Sequence, residues 1–197
     1  MEEFDLLVVG AGTAGCVSAA TASKRGLETC IIDCKSEVEI GEKVCGDAIG
    51  SHHFKRLGIH PPRGEELDSM IEGVRVYSPD LSSVFTMGGE GVTGFIVNRH
   101  SFGQRLLKEA LDLGVELYDS TLATEPIIEA GFVKGAVCRG KDGHRRILRA
   151  KITIDASGVA AAIRRKLPGE FDIEREVAKR DLMACYREVR GNVDVDK

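Results

Sequence analysis

Apolar residues along this chain fall into short unbroken runs and longer helically spaced sets. Leu6-Leu7-Val8-Val9 and Cys30-Ile31-Ile32 are runs of strand length. Between them, Thr13 to Arg25 is rich in Ala, Ser and Thr, with a thin apolar face of Cys16, Val17, Ala19, Ala20 and Ala22. That pattern predicts a helix, with Gly26 where its C-terminal cap belongs. A second helix is expected over Ala48 to Leu57, before the Pro61-Pro62 turn. Ile71 to Tyr77 and Ser83 to Met87 read as strands joined across Ser78-Pro79-Asp80. Gly94 to Arg99 reads as a strand. Phe102, Leu106, Leu107, Ala110, Leu111 and Leu113 recur at helical spacing, with Ser101 as the expected N-cap and Gly114 as the stop. Short strands follow at Val115–Tyr118, Leu122–Ile128, Phe132–Cys138, Arg145–Ala150 and Ile152–Asp155. A helix over Ala160 to Leu167 ends at Pro168, and a last apolar strand is expected from Leu182 to Val189.

The turn between the first run and the first helix changes the picture. It reads Gly10-Ala11-Gly12-Thr13-Ala14-Gly15, a G-x-G-x-x-G between strand and helix, and the next strand ends in Asp33. This is the sequence form of a βαβ dinucleotide-binding unit. Gly10 permits the tight turn, Gly12 lets a pyrophosphate approach the backbone, and Gly15 lets helix and strand lie close. The helix start turns free N–H groups and a positive dipole end toward phosphate. Asp33 stands where a carboxylate accepts from ribose hydroxyls and repels a 2′-phosphate, which favours FAD or NAD over NADP at this position.

The hairpin between residues 70 and 93 interrupts the nucleotide pattern. The expected organisation is a first cofactor-domain segment at 1–69, a substrate-domain hairpin at 70–93, a second cofactor-domain segment at 94–168, and the start of a further substrate-domain sheet at 169–197. Forty-three per cent apolar residues suffice for a core. A net charge of −4, scattered Lys and Arg, few aromatics and no Trp argue against a nucleic-acid surface. The six cysteines, Cys16, Cys30, Cys34, Cys45, Cys138 and Cys185, form no C-x-x-C pair and have no His at zinc-finger spacing. No metal site is expected, and His52-His53 reads as a surface or helix-packing pair. A reduced, cytoplasmic setting is the expectation, and no window has the length and apolarity to span a membrane.

The N-terminal fingerprint, together with Ile154-Asp155-Ala156-Ser157-Gly158, resembles the FAD-binding domains of the glutathione-reductase superfamily. The order of segments is similar to the p-hydroxybenzoate-hydroxylase branch, where a substrate sheet is threaded between pieces of the cofactor domain. The fold class implied is α/β, a Rossmann-like FAD/NAD(P)-binding domain interrupted by part of a β-sheet substrate domain. Gly41-Glu42-Lys43-Val44-Cys45-Gly46-Asp47-Ala48 sharpens the resemblance, with Leu57-Gly58, Gly64-Glu65-Glu66-Leu67, Val76-Tyr77-Ser78-Pro79-Asp80 and Leu107-Lys108-Glu109-Ala110. These are similar to the geranylgeranyl reductases, especially the archaeal digeranylgeranylglycerophospholipid reductases. The resemblance implies an FAD enzyme that saturates isoprenoid chains of membrane lipids, with NADPH or reduced ferredoxin as donor and a possible peripheral membrane contact. It carries cofactor contacts to Ala14, Asp33, Cys45, Gly46, Ala48, Arg99 and Ala123, beside Gly10, Gly12, Gly15 and Gly158 of the two glycine motifs. Members of that family are longer, so the chain reads as an N-terminal portion. A flavin monooxygenase or halogenase on the same fold is the alternative, as is a truncated nucleotide-binding chain without activity.

The loop from Cys34 to Cys45 leaves the ribose position and can run the length of an extended FAD, since each residue spans up to about 3.3–3.6 Å. Cys45 and Asp47 are accordingly the candidate catalytic residues near the flavin ring. Cys45 would shape the pocket, tune the flavin or relay a proton, and Asp47 would serve as the acid. The plainer reading has Cys45 as a packing residue and Asp47 as the cap of a helix starting at Ala48.

Overall fold

The computed structural model describes residues 2–89, 91–188 and 191. In chain order its elements are β1 (Glu2–Val9), α1 (Thr13–Ser23), β2 (Thr29–Ile32), β3 (Ala48–Gly50), α2 (Ser51–Leu57), β4 (Leu67–Ile71), β5 (Gly73–Tyr77), β6 (Val84–Gly88), β7 (Gly94–Val97), α3 (Arg99–Asp112), β8 (Glu116–Tyr118), β9 (Thr121–Glu129), β10 (Phe132–Gly140) and β11 (Arg145–Asp155). Contacts divide the chain into two units. One joins the residues up to Glu42 with His100–Lys179; the other joins Lys43–Arg99 with the residues from Arg180 on.

The first unit is built on a six-stranded sheet in the order β8-β2-β1-β11-β10-β9. From β8 to β11 the strands are parallel, while β10 runs antiparallel to both of its neighbours. The expected βαβ unit is therefore present: β1, α1 and β2, with Val8 paired to Ile31 on one side and Ile154 on the other. Leu6 to Val9 and all of β2 are buried. A parallel strand covered on both faces has no polar side to show, which is why these runs do not alternate. Phe4, Leu7, Val9, Cys30, Ile32, Leu148 and Ala150 share one core cluster with Ile163 and Leu167. Residues 145–155 form one strand, not the two expected, because β1 pairs with it in one register at Leu148–Ala150 and again at Ile152–Asp155.

Two helix expectations change. α3 begins at Arg99, so Ser101 lies inside the helix instead of capping it. The stretch from Ala160 to Leu167 is not an α-helix but contains short 3₁₀ turns at Gly158–Ala160 and Arg164–Lys166. Ala161 between them adopts a left-handed conformation with φ 44°. Asp155 explains the break: its Oδ2 accepts from the N–H groups of Ile163 (2.9 Å) and Arg164 (2.8 Å), drawing the chain back toward the strand end.

The second unit holds a three-stranded antiparallel sheet, β3-β7-β4, and the two-stranded β5-β6 hairpin. The hairpin forms where the Ser78-Pro79-Asp80 turn places it. β7 is the larger departure from expectation. It joins β3 and β4 and not the nucleotide sheet. Residues 48–50 consequently form a strand where a helix start was expected, and α2 begins only at Ser51, with Phe54 edge-on to Phe95 at 5.4 Å between ring centroids. The contact division accordingly falls after Glu42, not near residue 69. Residues 182–188 carry no regular structure, so the expected strand over Leu182–Val189 is not formed there, and Val189 lies outside the described residues. Among the described residues, no helix is long and apolar enough to cross a membrane.

Candidate functional site

The glycine turn is the first candidate. Gly10 has φ +104° and leaves room for the backbone of Ala156, whose carbonyl oxygen a Cβ would meet at 2.7 Å. A Cβ on Gly15 would sit 1.8 Å from the Gly10 carbonyl oxygen and 3.3 Å from Val8 Cγ1, so α1 rests directly on the turn. Gly12 is different. It is exposed, and a Cβ there would meet nothing within 4 Å. The protein's own packing thus requires glycine at 10 and 15 but not at 12, where the backbone faces open space. Gly12 is also the N-cap of α1, and it brings no side chain to the helix start. The N–H groups of Thr13, Ala14 and Gly15 have no intrahelical acceptor, and the first turn contains no acidic residue. Open space beside these first-turn N–H groups fits a pyrophosphate.

Asp33 braces the turn, a role that the sequence did not reveal. Its Oδ2 accepts from the Ala11 N–H at 2.6 Å, and its Oδ1 accepts from the Lys35 N–H at 2.8 Å. The carboxylate ties the end of β2 to the middle of the glycine turn. A carboxylate has about four acceptor positions, so two backbone donors leave capacity for ribose hydroxyls. Cys16, just after the turn, donates its thiol to the Ala11 carbonyl oxygen at 3.2 Å, and burial pushes that thiol up to about 12.

α3 fastens the loop that follows Asp33. Gln104 Nε2 donates to the carbonyl oxygens of Glu37 and Ile40, each at 2.7 Å, and the His100 ring meets the Val38 carbonyl oxygen at 2.8 Å. Gly41 and Gly103 allow the close approach: a Cβ on Gly103 would lie 2.4 Å from the Gly41 Cα. Gly41 opens the Gly41–Ala48 motif read from the sequence, whereas Gly103 belonged to no motif. At the far end of the sheet, Ala123 in β9 pairs with Cys138, and its side chain is in the core, leaving only its backbone for a ligand. Gly158 is exposed, with φ +68°, beside the Asp155-Ser157 brace. Burial raises the Asp155 carboxyl, but hydrogen bonds from Ser157, Arg164 and Ile163 outweigh it and hold the group below the ordinary carboxylate value.

The second candidate lies within the other unit. Arg99 Nη2 approaches Cys45 Sγ at 3.5 Å, and Arg99 Nε approaches Asp47 Oδ1 at 3.3 Å. Arg187 Nη1 donates to Asp47 Oδ2. Gly46 and Ala48, on either side of Asp47, are exposed. Asp47 itself is buried with φ 60° and does not cap a helix, because β3 follows it and the N-cap of α2 is Gly50. The Cys45 thiol is held below its ordinary value, first by the Asp47 N–H that donates to it and then by the Arg99 charge, against burial and the Asp47 charge. Arg187 went unnoticed in the sequence, since 140 positions separate it from Asp47 and its neighbours form no motif. The six cysteines are all unpaired, and Cys16, Cys30 and Cys138 are buried, as expected of small apolar residues in a core.

Comparison with known proteins adds relatives to this geometry. The family model described as "Lycopene cyclase protein" matches residues 5–192. The digeranylgeranylglycerophospholipid reductase of Sulfolobus acidocaldarius is 42% identical over 188 residues, covering 95% of this chain and 41% of the relative. The chain spans less than half the length of curated relatives that it matches. Among solved structures, a geranylgeranyl bacteriochlorophyll reductase-like protein from Thermoplasma acidophilum superposes with TM-score 0.77 at 29% identity, over 84% of this chain and 42% of that one. A myxobacterial chondrochloren halogenase superposes with TM-score 0.67 at 18% identity, over 84% of this chain and 40% of that one, which is a likeness of fold. The Rossmann-like α/β class and the resemblance to geranylgeranyl reductases both hold.

Proposed function

The chain belongs to the lycopene cyclase protein family, and from that premise we propose that it is part of an FAD-dependent oxidoreductase that reduces isoprenoid double bonds of membrane-lipid precursors. The observation that carries the cofactor is the open glycine turn, where only an outside group gives a reason for glycine at 12. The substrate class rests on the relatedness to the archaeal reductase.

Bound FAD would supply the hydride chemistry that no side chain offers. The residues of this chain hold and orient it. The N–H groups of Thr13, Ala14 and Gly15 and the dipole of α1 take the pyrophosphate, and Asp33 takes a ribose while bracing the turn. Gly10, Ala123 and Gly158 contribute through backbone. Cys45, Gly46, Ala48 and Arg99 are assigned to the flavin side from the family resemblance. Reduction adds a hydride to one alkene carbon and a proton to the other. Cys45 Sγ, held toward thiolate by an N–H and a guanidinium, is the group in this chain suited to hold and hand on that proton. Asp47 keeps Arg99 in place beside it. An unactivated alkene presents no charge to stabilise, so position and proton supply dominate. A donor of the NADPH or reduced-ferredoxin kind supplies the electrons, and a lipid substrate implies a peripheral membrane contact.

The test is anaerobic. The FAD-loaded protein is reduced, mixed with a geranylgeranyl lipid, and its flavin reoxidation followed beside product mass. Reoxidation with a mass gain of one hydrogen pair per saturated bond is expected. Reoxidation only on admitting oxygen, with oxygenated or halogenated product, refutes the reductase reading and supports the halogenase-like one.

A further inference from the structure

The Asp47 carboxylate is placed at considerable cost. It is buried, its backbone is left-handed at φ 60°, and its two oxygens are occupied by guanidinium groups from distant parts of the sequence. Arg99 stands at the start of α3 with its side chain 15% exposed; Arg187 belongs to the irregular segment 182–188. A buried carboxylate with cationic partners is seldom the cheapest way to fill space. What this one accomplishes is local. It holds Arg99, whose Nη2 lies 3.5 Å from the Cys45 sulfur, and its own N–H lowers the same thiol.

We propose that Asp47 is a positioning residue: gripped between Arg99 and Arg187, it fixes the 45–47 turn against the Cys45 sulfur, and this clamp sets the reactivity of the Cys45 thiol. The clamp acts whether or not a flavin is bound. Arg99 and Asp47 are the charged groups that act on the sulfur directly, and Arg187 acts only through Asp47. The other thiols are set differently. Cys16, Cys30 and Cys138 are buried, burial together with the neighbouring Asp33 raises Cys34, and Cys185 is exposed in the irregular segment 182–188.

Charge and position have opposite signs here, which makes the clamp testable. The Asp47 charge by itself raises the Cys45 thiol, so if charge were all that mattered, removing the carboxylate would speed thiolate chemistry. If position matters, losing the clamp lets the N–H swing away and slows it. Iodoacetamide alkylation of each cysteine is followed by peptide-resolved mass spectrometry across a pH series in the purified protein. In the parent, Cys45 is expected to reach half its maximal rate at lower pH than Cys34. Asp47→Ala is expected to slow Cys45 alkylation at neutral pH about tenfold, the effect of roughly one pH unit in thiol titration. Asp47→Asn tolerates the left-handed backbone and still offers an oxygen to a guanidinium, so it is expected to restore most of the parent rate. Cys16, Cys30 and Cys138 report folding of the first unit by staying unlabelled, and slow hydrogen exchange of the paired β3 and β7 amides reports folding of the second. If either reporter is lost in Asp47→Ala, the decision passes to Arg187→Met, which alters no sheet or helix and is expected to slow Cys45 in the same direction. Faster or unchanged alkylation of Cys45 in the folded variant overturns the proposal.

Discussion

Replacing Gly15 by Ala isolates what the close approach of α1 to β1 is worth. The new Cβ would lie 1.8 Å from the Gly10 carbonyl oxygen, against the 3.4 Å at which ordinary contact begins. The helix start must therefore retreat by about 1.6 Å, or the turn must open by as much. The nearest obstruction, the Gly10 carbonyl, is backbone, so no flexible side chain can absorb it. Overpacking of this kind costs about 3 kcal/mol, the upper part of its usual range. The helix recovers up to about 1 kcal/mol from exchanging Gly for Ala, leaving a net loss near 2 kcal/mol. In urea, with a slope of about 2 kcal/mol/M, the midpoint is expected to fall by about 1 M at unchanged slope. Gly12→Ala is the matched control. Gly12 has φ −70° and no atom within 4 Å of the added carbon, so its midpoint should stay within about 0.5 kcal/mol of the parent. The two variants should separate in the opposite sense on cofactor titration: Gly12→Ala keeps its stability but loses FAD affinity, and Gly12→Val loses more. A Gly15→Ala midpoint equal to the parent's would refute the packing argument. A Gly12→Val protein with parent FAD affinity would refute the assignment of the open turn to the pyrophosphate.

Two further outcomes follow from the carboxylates. Asp33→Asn replaces one acceptor oxygen with an NH₂ group that must face a backbone N–H of Ala11 or Lys35; a loss of about 1.5–3 kcal/mol is expected even without FAD, and an unchanged thermal midpoint of the cofactor-free protein would rule out the brace. Asp155 has a folded-state value below its ordinary 3.8, so its contribution is fully present above that pH and is lost as pH falls through the lowered value; Asp155→Asn should therefore destabilise at neutral pH, with the gap to the parent closing in acid unfolding below about pH 4, and a gap that stays constant with pH would contradict the hydrogen-bond account.

The parts of this protein legible in one dimension are those whose cause is local. β1, α1 and β2 could be read because a doubly covered parallel strand is apolar without interruption, and because the helix-strand contact demands glycine at 15, a constraint visible as a letter. The β5-β6 hairpin was legible for the same reason, its turn being encoded by Ser78-Pro79-Asp80. Tertiary structure decided the rest. Ala48–Gly50 has no strand signal of its own and extends only because β7 lies beside it, from almost fifty positions away. The helix expected after Ala160 breaks because Asp155 captures the N–H groups of Ile163 and Arg164, a bond pattern that hydrophobic spacing cannot express. Asp47 looked like a helix cap from its neighbours alone. It became a buried, doubly paired carboxylate because Arg99 and Arg187, separated from it by 52 and 140 positions, converge on it in three dimensions.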